Sequence, residues 1–266
     1  MRDRAGRSGR SVQVAGGALL AVLALGAAIG FADIPPAERR SGFEAMSRET
    51  QGLQVDDAAN PGMLSVLDGE ALWSAKAGAA GRSCADCHGV GTAMRGVAAR
   101  HPAFDAERDG PITLEGRIAQ CRTARQGAAA FGPENPDGLA LAAFVAHQSR
   151  GLPIAPDERL GASRERGRHL FTLRQGQLDL SCAQCHDDNW GRRLGGAVIP
   201  QGHPTGYPLY RLEWQAVGSL ERRLRNCMTG VRAEPYGPRS REAVDLEVYM
   251  TWRARGLAVE TPAIRP

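Results

Sequence analysis

The chain has 266 residues, 42% of them hydrophobic, and carries 33 basic against 29 acidic groups for a formal net charge of +4. The first 32 residues hold Arg2, Arg4, Arg7 and Arg10 against only Asp3, so without them the chain stands at +1. That near-neutral balance argues against a nucleic-acid partner, which calls for a concentrated basic surface, and the length admits two small domains plus a leader.

After the four leading arginines an uncharged run extends from Val12 to Ala32, where Gly30-Phe31-Ala32 supplies a small-x-small cleavage site. This is the n-, h- and c-region order of a secretory signal. Residues 1–32 are therefore expected to be a cleaved signal peptide that exports the protein to the periplasm, with no stable membrane association. An uncleaved anchor is the alternative, since about 20 apolar residues can span a bilayer.

Residues 33–64 are polar and interrupted by Pro35-Pro36 and Asn60-Pro61-Gly62, which prevents a long helix. They are expected to form an arm, packed over the domains or engaging a partner. From Ser65 onward the chain repeats itself. Gly69 to Trp73 precedes Cys84 as Gly167 to Phe171 precedes Cys182, with the glycine fifteen residues before the cysteine in each copy. Thr113-Leu114-Glu115 to Cys121 matches Ser219-Leu220-Glu221 to Cys227. Thr113 and Ser219 are good N-caps, and Glu115 and Glu221 sit in the first turn, where the helix dipole favours negative charge.

Each copy then passes a Gly-Pro pair, runs through a helix-period segment (Leu139 to Gln148, Ala243 to Trp252), and stops at Gly151 or Gly256. The expected fold is all-α: two tandem cytochrome c-like domains, 65–152 and 159–266, joined by a linker at 153–158. The copies differ in one span. From His88 to Cys121 is 33 residues, but from His186 to Cys227 is 41. The added length falls in the Gly- and Pro-rich stretch Asn189 to Gly218, which is expected to shape access to the second site because long irregular loops are often functional.

The chemistry resides in two CxxCH motifs, Cys84-Ala85-Asp86-Cys87-His88 and Cys182-Ala183-Gln184-Cys185-His186. This spacing is the signature of covalent c-type haem. The paired cysteines form thioethers to the porphyrin, and His88 and His186 become iron ligands. Two such haems each need a second axial ligand. Met94 follows His88 too closely to reach the opposite face readily, while Met228 and Met250, and likewise His101, His147, His169 and His203, have no equivalent of their own kind in the other copy. The bland reading of those histidines is a surface or hydrogen-bonded role. Cys121 and Cys227 are the soft ligands present in both copies, and thiolate is a recognised haem ligand. A Cys121–Cys227 disulfide is the competing reading, natural in an oxidising compartment. Arg117 and Arg223 precede their cysteines by four residues and share their helix face, where a guanidinium lowers a thiol pKa and can hold an oxyanion. A solvated charge or a haem propionate partner is the plainer alternative.

With these residues in view, the chain resembles the dihaem SoxA family of bacterial thiosulfate oxidation. The likeness covers nearly all residues after the leader. It includes Asn60 to Met63, Gly69 to Trp73, both CxxCH motifs, Gly202-His203-Pro204, Tyr210-Arg211-Leu212 and Arg223 to Met228. The resemblance implies His88 and Cys121 as ligands of the first haem iron, and His186 and Cys227 of the second. It implies a catalytic second domain with Cys227 at its centre, as thiol or persulfide, and Arg223 in the substrate site. The implied activity is that of an L-cysteine S-thiosulfotransferase, which joins thiosulfate to a cysteine of a SoxYZ-type carrier. The implied partners are a SoxX-type monohaem subunit and a soluble cytochrome c acceptor. A plain two-haem electron carrier and a dihaem peroxidase are the other classes compatible with the motifs.

Overall fold

The computed structural model describes residues 34–266, and the expected signal peptide lies outside them. Two 3-10 turns (Pro36–Glu38, Gly42–Ala45) lead into helix α1 (Arg48–Val55), capped by the Ser47 hydroxyl accepting from the Thr50 amide. Helix α2 (Gly62–Ser74) follows, then the short α3 (Ala85–His88) that carries the first CxxCH motif. A hairpin of β1 (Ala103–Asp105) and β2 (Gly110–Ile112) ends at Thr113, which caps α4 (Leu114–Gln126). Helix α5 (Pro136–His147) closes the first repeat.

The second repeat restates this plan. Helix α6 (Gly161–Thr172) leads to α7 (Cys182–His186), which bears the second motif behind a Ser181/Gln184 capping box. A small hairpin, β3 (Arg193–Leu194) and β4 (Ala197–Val198), interrupts the path. Strands β5 (Leu209–Arg211) and β6 (Ala216–Gly218) then deliver the chain to Ser219, whose hydroxyl caps α8 (Leu220–Gly230). Helix α9 (Arg241–Arg253) completes the repeat, and β7 (Ile264–Arg265) pairs parallel with β5 to make a three-stranded sheet. The architecture is mostly helical, as expected; the short strands are an addition that two- and three-residue segments do not announce through periodicity.

In each repeat the first and last helices cross at a glycine. A Cβ on Gly69 would fall closer than 3.0 Å to the Ala140 carbonyl oxygen of α5, and one on Gly167 equally close to the Asp245 carbonyl oxygen of α9. Only a residue with no side chain permits that approach. The crossing buries Val66, Trp73 and Phe144 in one core and Phe171, Leu246, Tyr249 and Met250 in the other.

The repeats are joined where they end. Gly151 and Gly256 both take positive φ, 81° and 86°. The segments leaving them bond to each other: Gly151 N to Val259 O at 2.8 Å, Ile154 N to Leu257 O at 2.8 Å, and Gly256 N to Ile154 O at 2.9 Å. Residues of the polar arm are held by the second repeat. The Arg39 guanidinium donates to the Arg255 carbonyl at 2.9 Å, the Asn60 amide to the Pro262 carbonyl at 2.9 Å, and Arg265 to the Gln54 side chain at 2.6 Å. Between the repeats, Glu115 of α4, Glu221 of α8, Glu247 of α9 and Glu134 gather about one cleft with Arg239. Burial pushes the Glu247 carboxyl well above its usual range, and the charges of Glu115 and Glu221 push it further. Among the described residues no helix is long and apolar enough to cross a membrane.

Candidate functional site

Each repeat encloses a cavity against its CxxCH helix. The first, about 340 Å³, is walled by Cys84, Cys87 and His88 from the motif and by Cys121 and Arg117 from α4. Its remaining walls are mainly apolar, with Trp73, Leu114 and Phe131 among them. The second, about 160 Å³, is walled by Cys182 and His186 of α7 and by Arg223 and Cys227 of α8. Cys185 lies on the same helix but is not part of that wall. Thus His88 and Cys121 share one cavity, and His186 and Cys227 share the other.

The caps explain why these cysteines face inward. Thr113 and Ser219 fix where α4 and α8 begin, and the cysteine falls two turns later on the face turned to the CxxCH helix. The histidines are oriented by their surroundings. The His88 ring lies 5.8 Å from the Trp73 ring, and the His186 ring 6.3 Å from that of Phe171. His186 Nδ1 is 2.7 Å from the Pro200 carbonyl oxygen. Such a bond fixes the tautomer that leaves Nε2 available as a ligand.

All six cysteines are free, and Cys121 and Cys227 line different cavities, so the disulfide reading is not realised. The other histidines are hydrogen-bonded or at the surface. Nδ1 of His101, His147 and His203 meets the carbonyls of Val97, Thr261 and Arg40 at 2.8, 3.3 and 2.8 Å, and His169 is exposed. His203 nevertheless lines the second cavity, as does Met250, while Met94 lines the first.

The electrostatics of the two α-helical cysteines diverge. Burial pushes the Cys121 thiol up, and Arg117 and Arg125 do not reverse it. Burial acts on Cys227 in the same sense, but a hydrogen bond with His186 and the charges of Arg223, His186 and Arg211 outweigh it, leaving the thiol below its ordinary value. Tyr207 stands in the same wall, its phenol pushed up to about 12 by burial. The sequence assigns no role to Arg211 or Tyr207, although Arg211 lies in the Tyr210-Arg211-Leu212 segment that carries the family resemblance. Their shared signal is their place in the long loop before Ser219, alongside Pro200 and Gly202 of that loop, which also line the cavity.

These donor sets fit c-type haem. Each cavity presents at least one thiol of the motif, the motif's histidine, an opposing soft sulfur and an enclosing apolar wall, which together match what covalent haem requires. Two CxxCH units, each closed by a capped helix carrying a cysteine, define a tandem cytochrome c protein.

Comparison with known proteins sharpens the class to a family. The SoxA/TsdA cytochrome c domain family matches residues 68–154 and 166–259, one stretch for each repeat. The L-cysteine S-thiosulfotransferase subunit SoxA of Pseudaminobacter salicylatoxidans is 39% identical over 232 residues, spanning 86% of this chain and 81% of the relative. The corresponding subunit of Rhodovulum sulfidophilum is 38% identical over 231 residues, spanning 86% and 80%. The crystal structure of SoxXA from P. pantotrophus aligns with a TM-score of 0.83 at 31% identity, covering 86% of this chain and 87% of that one. The chain belongs to the SoxA family.

Proposed function

We propose that this protein is an L-cysteine S-thiosulfotransferase that conjugates thiosulfate oxidatively to a cysteine of a SoxYZ-type carrier. The observation that carries the reading is the second cavity of a SoxA-family chain. There a cysteine sulfur, Cys227, has its thiol pulled below the ordinary range and shares the wall with the Arg223 guanidinium. The overall reaction joins a thiol and thiosulfate through a new sulfur–sulfur bond and releases one proton and two electrons.

In this reading Cys84 and Cys87 would hold one haem and Cys182 and Cys185 the other, with His88 and Cys121 binding the first iron and His186 and Cys227 the second. When bound, the haems would supply the redox chemistry, accepting electrons and passing them on through a SoxX-type monohaem subunit to a soluble cytochrome c. The work of the chain's own residues is electrostatic. Thiosulfate is a dianion and a thiolate repels it; a cation a few ångströms away offsets that repulsion in a half-buried site far more than it would in water. Arg223 supplies it, one helical turn from Cys227. Cys227, as thiolate or as a persulfide, is then the sulfur-transfer centre, and Pro200 holds the His186 ring opposite it. The protein works in the periplasm, where haem attachment and oxidising conditions coincide.

Replacing Cys227 by Ser tests this directly. Thiosulfate- and carrier-dependent cytochrome c reduction should fall by about 10⁴-fold or more, the scale for loss of a reacting group, with both haems still covalently attached. Undiminished turnover in that variant would remove Cys227 from the chemistry.

A further inference from the structure

From His101 to Cys121 and from Tyr207 to Cys227 the two repeats run without a gap, each position 106 residues after its counterpart. The hairpin register confirms the match: Asp105 pairs with Gly110 in β1–β2, and Arg211 pairs with Ala216 in β5–β6. Asp105 and Arg211 are thus equivalent, as are Arg117 and Arg223. In the first repeat these positions form a closed ion pair, Arg117 to Asp105 Oδ2 at 2.9 Å. In the second repeat the carboxylate is replaced by a cation.

Arg211 and Arg223 line the same cavity as Cys227. Burial lowers the proton affinity of Arg211, and the charge of Arg223 lowers it again. The Arg211 side chain is 13% exposed; among the described residues its ion pair runs outward, at 2.8 Å, to Glu213, which is 61% exposed, and its guanidinium lies 5.2 Å from the centre of the Trp214 ring. Among the described residues the buried Nε of Arg211 has no hydrogen-bond partner. Arg223 makes no ion pair among the described residues, and a third arginine of the cavity, Arg265, is already paired with Glu260 at 2.5 Å. Two like charges facing one half-buried space raise the energy of the fold unless an anion sits between them. A buried donor left unmade is costly for the same reason.

We propose that Arg211 and Arg223 form a two-guanidinium clamp that holds the sulfonate end of thiosulfate beside Cys227, with Arg211 as the arm that distinguishes the second repeat from the first. The proposal rests on the reading of the second cavity as the thiosulfate site. A dianion matches two cations, and the forked guanidinium presents paired donors to an oxyanion. At the equivalent positions the first repeat has the same backbone and the inverted charge, with Asp105 answering Arg117.

The experiment uses the haem-loaded protein with its partner subunit. Anion affinity is read without turnover, from the perturbation of the oxidised absorption spectrum by thiosulfate, and kinetics are read with carrier. Arg211→Gln should weaken thiosulfate binding and raise its KM by about 10- to 150-fold, the range for one hydrogen bond to a charged group. Arg211→Lys should recover part of the loss. Arg211→Asp imports the first repeat's ion pair, and should abolish anion binding while the melting temperature holds or rises.

Unchanged affinity in Arg211→Gln overturns the clamp. So does an altered haem spectrum or potential with unchanged KM, which would mark Arg211 as a propionate partner. If Cys227→Ser remains active while Arg211→Gln still loses thiosulfate affinity, the assignment of Cys227 fails and the clamp stands.

Discussion

The first and second repeats share their helix crossings, capped helices and hairpin register, yet they treat charge in opposite ways. Beside Cys121, Arg117 is answered by Asp105, Arg82, Arg122 and Arg125 stand elsewhere in a mainly apolar wall, and burial keeps the thiol high. Beside Cys227 that carboxylate is absent, Arg211 and Arg223 both line the wall, and the thiol is drawn down. The backbone that positions a sulfur opposite a histidine is therefore neutral with respect to chemistry. The two sites come to differ where one carboxylate becomes a guanidinium and an added loop reshapes the wall.

That comparison can be attacked at three levels. The shared architecture should fail equally in both copies when the helix crossing is blocked. Gly69→Val and Gly167→Val each force a side chain into an opposing backbone carbonyl, and each should cost about 3–5 kcal/mol, measured by chemical denaturation. Tolerance at one site would show that the repeats are not built alike.

The electrostatic contrast predicts a smaller asymmetry. Arg117→Gln strands the Asp105 carboxylate, whose side chain is 2% exposed, and should lower the melting temperature by about 2–4 °C. Arg223→Gln relieves a repulsion and should leave the melting temperature unchanged or raised. Asp105 also gives the pair a pH signature. Burial pushes its carboxyl up, but bonds from the Arg108 and Glu107 amides and the Arg117 charge bring it below the ordinary carboxylate value. Its stabilisation is present above that ordinary value and is lost as pH falls through the lowered one, a dependence that Asp105→Asn should remove.

An effect of comparable size and opposite sign belongs to the seam between the repeats. The Glu247 carboxyl is raised by burial and by Glu115 and Glu221, so its favourable contribution is full below the ordinary carboxylate pKa and lost as pH rises through the raised value. Glu247→Gln should accordingly raise the melting temperature by about 2–4 °C at neutral pH and by nothing at pH 4. An equal gain at both pH values would place the effect in packing instead of ionisation.

Much of this was legible in the sequence because it is local. The CxxCH spacing, the Thr113 and Ser219 caps and the stops at Gly151 and Gly256 depend on residues within a turn or two of one another. The pairing of each motif histidine with a helix cysteine followed from the repeat. The clamp did not, because Arg211 reaches Arg223 only through the β5–β6 hairpin, and a strand of three residues leaves no periodic trace. Counting residues from His186 to Cys227 finds eight extra but assigns them to a broad stretch, Asn189 to Gly218. The hairpin register confines them to the part before Tyr207, since His88 to His101 is 13 residues and His186 to Tyr207 is 21. Part of that excess is the β3–β4 hairpin, and β4 forms part of the cavity wall. Packing of the arm over the domains was one of the expectations, but its contacts were not legible, since side-chain-to-carbonyl bonds such as Asn60 to Pro262 join positions 202 residues apart.

Strand β7 contributes Arg265 to the wall of the second cavity and completes the sheet that holds Arg211. The wall of the first cavity is drawn from residues 73–145 alone, whereas that of the second draws on residues from Gly42 to Pro266. Local unfolding that begins at β7 would therefore open the second cavity and leave the first closed. The two cavities differ in how distant a disturbance each can feel.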